Sequence, residues 1–261
     1  MNREQLTKHL NNPQDRYLAM KLIDKIEMSM KNSTITYTDF LDPYQMNMGI
    51  QIINQYFSIS YFSDGGFQHA ERKILIIHPE YLSLENFENP LRAIEIFGDF
   101  NKTDLSHRDF LGSILGLGIK REKTGDIYIS DGKVALIVYK EVCDYIISNL
   151  HQVGKYKITA HHISMDDISE PEEKFKLIHS TVQSLRLDAI LSVGFEESRS
   201  AITKKVNHDR VKVNWKPVNN PSYLVNCGDI ISYKGLGRIQ FVEMLGKSKK
   251  DRIKITIKRF L

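Results

Sequence analysis

Arg199, Lys204, Lys205, Arg210, Lys212 and Lys216 crowd into one short stretch of the chain, in a unit too small to bury so many cations. Ammonium and guanidinium groups at that density suit phosphate, because each contact with a polyanion releases condensed counterions. Neither a cofactor loop nor an acid–base pair accompanies them, so the chemistry they suit is binding rather than turnover.

Cations grip a polyanion only if short, regular elements hold them in place. Arg186-Leu187-Asp188 opens a short helix. Ser198 is a natural N-cap for a second helix running to about His208, its hydroxyl accepting from an otherwise unpaired N–H. Val211-Lys212-Val213-Asn214 then alternates apolar with polar, as a half-buried strand does, and Trp215 falls at the hairpin tip. Two uses of the indole stay open there, burial or stacking on a base or ribose. Asp188 reads as structural, an acid in the first helical turn that caps the helix or pairs with Arg199.

Charge is segregated along the chain. The formal net charge is +4, yet from residue 181 onward sixteen Lys and Arg face seven Asp and Glu, while in the first 180 residues twenty face twenty-five. A basic module on a mildly acidic body suits a protein that holds a polyanion by one end. With 261 residues, 41% of them hydrophobic, the chain can bury a good core and divides into two or three domains. It has no run of eighteen apolar residues, and MNREQLTKHLNNPQDR lacks the apolar core of a signal peptide, so the expectation is a cytoplasmic protein without a membrane part. Cys143 and Cys227 lie far apart without C-x-x-C partners, which predicts reduced thiols, no disulfide and no zinc site.

The expected fold class is α+β. Helical periodicity runs to about Tyr56 with breaks at Asn12-Pro13 and Asp42-Pro43, and a hairpin follows through Asp64-Gly65-Gly66 into Lys73–Ile77. From Ala93 to His161 the pattern is βαββαβ, the ferredoxin-like or RRM-like order. An acidic linker at Met165–Glu173 and a helix from Glu172 to about Ser184 lead into the basic module. A terminal strand puts Arg252, Lys254 and Lys258 on one face. The expected domains are 1–85, helical with a hairpin; 86–165, RRM-like; and 181–261, the basic module.

Several tempting signals fail. Gly112, Gly116 and Gly118 close a helix instead of following a strand, against a dinucleotide loop. His107-Arg108-Asp109 copies a kinase catalytic triplet, but Ile114 sits where the metal-binding Asn belongs. His161 and His162, adjacent on a strand, point to opposite faces and do not share a metal. Gly246–Lys250 reads as a basic hairpin turn. No catalytic residue, metal or cofactor is expected. Lys120, Arg121 and Lys123, a basic run between glycines, are either a second RNA contact or a solvated loop. The sheet beside them offers only Tyr128 and Tyr139 for stacking, too few for an RRM that reads bases.

The pattern carried by Arg186, Leu187, Asp188, Ser198, Arg199, Val206, Val211, Val213, Asn214, Gly228 and Asp229 resembles the S4 RNA-binding domain. Asp209 departs from it where a glycine is usual, and Lys205 where an aliphatic residue is usual. Val213–Lys216, Lys234–Arg238, Ala70–Lys73 and Phe110–Ile127 resemble more narrowly the YlmH-like proteins, a bacterial S4 group with plastid relatives, so the likeness spans nearly the whole chain. It implies an S4 (αL-type) domain at 181–261. It also implies binding of structured RNA, ribosomal RNA or tRNA on the large ribosomal subunit, in rescue of stalled translation; apart from the resemblance, the expectation is a monomer without catalysis. The expected RNA-binding residues are Arg186, Ser198, Arg199, Ser200, Lys204, Lys205, Arg210, Lys212, Asn214, Trp215, Lys216, Lys234 and Arg238. Two rivals remain. An RNA-modifying enzyme needs a second aspartate motif (pseudouridine synthase) or a strand-glycine-helix loop (methyltransferase), and residues 1–180 offer neither. A protein-interaction adaptor, linked by family analogy to cell division, would dock a partner on the acidic half.

Overall fold

The computed structural model describes residues 3–98, 100, 105–130, 133–168, 173–206 and 210–261, with the side chains of Ser130 and Lys205 left out. His208 and Asp209, at the expected end of the second S4 helix, lie outside the described residues, as does the Lys205 side chain.

Asn-Pro and Asp-Pro start helices here because the side chain caps while proline fills a first-turn position that has no N–H to satisfy. After α1 (Arg3–Thr7), α2 (Pro13–Asn32) begins with the Asn12 side chain accepting from Gln14 N. Strand β1 (Thr36–Tyr37) follows, and α3 (Pro43–Ile53) begins with a reciprocal capping box between Asp42 and Gln45. Ala19, Leu22, Ile23 and Ile26 form the apolar stripe of α2 and pack with Met48, Ile52 and Ile53 of α3. Beneath them, β2 (Ile59–Asp64) and β3 (Ile74–Pro79) complete a three-stranded sheet ordered β1-β3-β2.

The next elements are β4 (Leu91–Phe97), α4 (His107–Gly116), β5 (Thr124–Ser130), β6 (Lys133–Tyr139), α5 (Lys140–Asn149), β7 (Gln152–Val153), β8 (Tyr156–Lys157) and β9 (Thr159–Ile163). Four of the strands form an antiparallel sheet ordered β5-β6-β4-β9. Phe110 and Ile114 of α4, with Cys143 and Ile146 of α5, cover one face through Ile94, Ile96, Leu136 and Val138. The other face, presenting Leu91, Ala93, Ile137 and Tyr139, meets Phe40, Ile74 and Ile76. Strands β3 and β6 are therefore buried on both sides, which is why both read as unbroken apolar runs rather than alternations. Residues Met1–Pro171 form one contact unit.

The second unit, Glu172–Leu261, opens with a correction to the sequence reading. The stretch expected to be helical is strand β10 (Phe175–Val182), paired antiparallel with the last strand from Phe175↔Phe260 to Val182↔Ile253. Phe175, Ile178 and Val182 do fit a helical period. Eight consecutive pairings to a distant strand, with β-branched residues well suited to them, decide the conformation instead. The remaining elements are α6 (Leu187–Phe195), α7 (Arg199–Val206), β11 (Val211–Val213), β12 (Lys216–Pro217), β13 (Ile230–Tyr233), β14 (Gly237–Lys247) and β15 (Ile253–Phe260), in a six-stranded sheet ordered β10-β15-β14-β13-β11-β12. Leu187, Ile190, Leu191, Ile202 and Val206 pack on Val211, Val213, Ile231, Ile239, Phe241, Ile255 and Ile257. At Gly194 a Cβ would come within 2.6 Å of Ile239 Cδ1, so α6 lies close against β14.

Candidate nucleic-acid interface

The R-L-D triplet straddles the start of α6. Leu187 N and Asp188 N donate to the Tyr223 and Pro221 carbonyls, so a loop seals this helix end and buries Asp188 to 3% exposure. A buried carboxylate needs partners. Arg186 supplies two, Nε to Oδ1 at 3.2 Å and Nη2 to Oδ2 at 3.1 Å, and Arg199 at the first position of α7 supplies a third, Nη2 to Oδ1 at 3.0 Å. Burial alone would push the Asp188 carboxyl up, but the hydrogen bonds and charges of the two arginines outweigh it and hold the carboxyl below its ordinary value. Both guanidinium groups stay part-exposed, at 37% and 46%. One anion thus orients two cations and leaves a net positive charge facing solvent. The sequence reading that Asp188 pairs with Arg199 is what the structure shows.

Ser198 caps α7 through its Oγ, which accepts from Ala201 N at 3.3 Å and lies 3.2 Å from Ser200 Oγ. Lys204, Arg210, Lys212, Lys216 and Lys234 are exposed. Lys212, Ser232 and Arg238 stand opposite one another across β11, β13 and β14, sharing the face turned away from Val211, Val213 and Ile231. Lys234 joins the same edge, its N–H donating to the Arg210 carbonyl at 2.8 Å.

The tip between β11 and β12 is a two-residue turn with both central residues in the left-handed region, Asn214 at φ 47° and Trp215 at φ 64°. Such turns match strand twist but favour Asn followed by Gly, and a bulky residue there costs about 1–2 kcal/mol. Asn214 pins the turn: its Nδ2 donates to Asp229 Oδ1 at 2.8 Å and its Oδ1 accepts from Ile230 N at 2.9 Å. The half-buried Trp215 ring has the Arg238 guanidinium 5.4 Å from its centroid. Strain is therefore spent on displaying an indole beside a cation.

In the first unit the structure turns two members of the other basic run inward. Arg121 Nη1 donates to the Thr124 carbonyl, Thr124 Oγ1 and the Gly125 carbonyl at 2.7, 2.6 and 2.9 Å, and burial, with Arg72 alongside, pushes the group down to about 10. Lys123 lies 2.9 Å from Asp39 and over the Tyr139 ring. Lys120 is exposed. The neighbouring motifs are architectural as well. Asp126 Oδ2 accepts from Glu71 N at 2.6 Å, Arg72 N at 3.2 Å and the Tyr128 hydroxyl at 3.2 Å, and Arg72 Nη2 donates to the Phe40 carbonyl at 2.9 Å. The two backbone bonds tie the β2–β3 loop to β5, and the Arg72 side chain ties it to the segment between β1 and α3. Neither sheet tyrosine is free to stack: Tyr139 is buried and donates to the Thr38 carbonyl, while Tyr128 meets Phe67 edge-on at 4.3 Å. Sequence reasoning missed these jobs, although Arg121 and Asp126 flank a glycine that comes within 2.7 Å of Phe40 if given a Cβ.

Three family models match in succession: "YlmH, N-terminal" over residues 14–82, "Putative RNA-binding domain in YlmH" over 83–167, and "S4 domain" over 185–231. The chain is 35% identical over 245 residues to "Ribosome-associated protein quality control protein P2" of Bacillus subtilis (strain 168), covering 94% of this chain and 93% of that one. The chain belongs to the YlmH family. Over 68 residues it is 41% identical to the small ribosomal subunit protein uS4 of Caldicellulosiruptor saccharolyticus, covering 25% of this chain and 33% of that relative. A solved structure, "Cell division protein ylmH from Streptococcus pneumoniae", shares the fold at a TM-score of 0.53 and 20% identity, across 60% of this chain and 96% of that one. This YlmH-family chain carries its S4 domain in the second unit, where the arginine pair, the cationic strand row and the strained indole lie.

Two substitutions separate gripping from folding. Lys204→Ala, an exposed cation, is expected to weaken binding to structured RNA by about 1 kcal/mol, roughly fivefold, with an unchanged melting temperature. Arg199→Ala also strips a donor from a buried carboxylate, at about 1–3 kcal/mol of stability, and should lower the melting temperature by at least about 4 °C. Because the Asp188 value is depressed on folding, that contribution is present above the ordinary carboxylate range and is lost as pH falls through the lowered one. The gap between wild type and Arg199→Ala should therefore shrink in acid. Calorimetry across pH, beside filter binding, checks both; an Arg199→Ala melt equal to wild type at neutral pH would contradict the shared-carboxylate account.

Proposed function

We propose that this protein works by binding rather than by chemistry. Its S4 domain would grip ribosomal RNA and tRNA on the large ribosomal subunit, in the cytoplasm and as a monomer, during rescue of stalled translation. The observation that carries the reading is the set of pre-oriented cations around buried Asp188 and along β11, β13 and β14, on a unit with an excess of nine positive charges after residue 181. Cations fixed on short helices and a hairpin follow phosphates by shape, with few side chains left for base edges. The name of the Bacillus subtilis relative supports ribosome-associated quality control as the setting.

Within this reading Arg186 and Arg199 present the paired guanidinium groups; Ser198 and Ser200 shape the start of α7; and Lys204, Lys205, Arg210, Lys212, Lys216 and Lys234 meet phosphates. Arg238 backs Trp215, which stacks on a base or ribose, and Asn214 acts through the turn it holds. The β5-β6-β4-β9 sheet we read as RRM-like, a reading supported by strand order and by two helices on one face. Its other face is occupied by the N-terminal sheet, so any RNA contact from this part would come from its rim, where Lys120 is the exposed member of the Lys120–Arg121–Lys123 run. Sedimentation tests the proposal. Wild-type protein should travel with isolated large subunits, and a Lys204→Ala, Lys212→Ala, Lys216→Ala, Arg238→Ala chain should lose at least about tenfold in occupancy. Equal occupancy by the quadruple variant would overturn it, and so would an RNA modification that appears only when the protein is present.

A further inference from the structure

The adjacent histidines of β9 part company. His161 stacks on Phe97 at 4.3 Å and faces Glu95, whereas His162 reaches α5, where its Nδ1 lies 3.4 Å from Cys143 Sγ and its Nε2 lies 2.8 Å from Asp144 Oδ1. One ligand-type atom from each of Cys143, Asp144 and His162 can be chosen so that all three fall within 4.8 Å of one another. His162 could not share a metal with His161, but it does meet a thiol from another element.

We propose that Cys143 and His162 form a binding site for a divalent transition-metal ion, zinc by the chemistry of the donors, with Asp144 holding the imidazole in place. The separation fits. Zinc–sulfur and zinc–nitrogen bonds of about 2.3 Å and 2.0–2.1 Å at a tetrahedral angle put the two donors about 3.5 Å apart, close to the 3.4 Å between Sγ and Nδ1. Asp144 on Nε2 sets the tautomer in which that nitrogen carries the proton and Nδ1 offers its lone pair towards the sulfur, the arrangement by which a carboxylate orients a ligating histidine. Thiolate with imidazole selects zinc or a similar soft to borderline ion over magnesium or calcium. The sulfur is buried in the core beneath α5, while the His162 side chain is 54% exposed and that of Asp144 87%, so an ion could enter from solvent and complete its shell with water. Arg92, on the neighbouring strand, is tied to Glu88 and to the Asn89 and Leu91 carbonyls; its charge favours an exchangeable ion over a permanent one. Binding would release the thiol proton to solvent.

Cobalt(II) reports the site, since a cobalt–thiolate bond absorbs in the near ultraviolet. The full chain carrying Cys227→Ala, which removes the exposed thiol, should saturate at one cobalt per protein, with the band displaced by zinc. Adding His162→Ala should abolish the band at an unchanged melting temperature, a control needed because Cys143→Ala alters a buried position. Asp144→Asn should weaken cobalt binding about tenfold or more. No band in the Cys227→Ala protein, or one that survives His162→Ala, would overturn the site; undiminished affinity in Asp144→Asn would overturn the role given to the carboxylate.

Discussion

Val213→Asp is expected to leave residues 172–261 unfolded while residues 1–171 keep their structure. Val213 is 3% exposed and packs with Val211, Ile231 and Ile239 beneath α6 and α7. Among the described residues the core around it holds no cation, and stranding a charge among aliphatic side chains costs about 4–5 kcal/mol or more, as much as the whole stability of a marginal small domain. The two units carry separate cores, so the loss should stay local. In an amide correlation spectrum the second unit should collapse to unfolded shifts beside native peaks from the first. A spectrum native throughout would mean that β11 is out of register and that the face assigned to Lys212 is wrong.

Much of the first unit was legible because its signals are local. Asn12-Pro13 and Asp42-Pro43, legible as breaks in the helical pattern, are where α2 and α3 begin, and the hairpin announced itself at Asp64-Gly65-Gly66. The unbroken runs in β3 and β6 carried further information, since a strand apolar at every position has two covered faces, and that pattern marks where the N-terminal sheet lies on the middle one. The β10 segment was illegible for the opposite reason. Its apolar residues suit a helix and a strand alike, and what settles the matter is β15, 71 to 85 positions away from Val182↔Ile253 to Phe175↔Phe260. Local pattern cannot weigh a pairing at that distance.

The site was legible in type more than in use. Composition placed cations in the second unit and the sequence offered Asp188 as a cap or a partner for Arg199, but the burial of that acid and its second partner, Arg186, show only when the 221–223 loop seals α6. Arg121 illustrates the converse: a guanidinium between glycines reads equally as an RNA contact or a solvated loop residue, and three protein oxygens around it make it neither. At Asn214-Trp215 a signal was present, an Asn followed by Trp where the turn favours glycine, and its meaning rests on backbone angles that no sequence states.

The salt dependence of RNA binding tests the central claim, that the second unit grips phosphate, more directly than any substitution. If about six phosphates are neutralised, the log–log slope of affinity against salt should be about −4 to −5, roughly a thousandfold loss between 50 and 200 mM. Residues 172–261, which include β10 and the complete second core, should reproduce both the affinity and the slope of the full chain for a structured ribosomal RNA fragment. Residues 1–171, acidic on balance, should bind weakly with a shallow slope. The account stands if the steep slope belongs to 172–261; it is contradicted if that fragment binds with a slope near zero, or if residues 1–171 carry the tighter and more salt-sensitive binding.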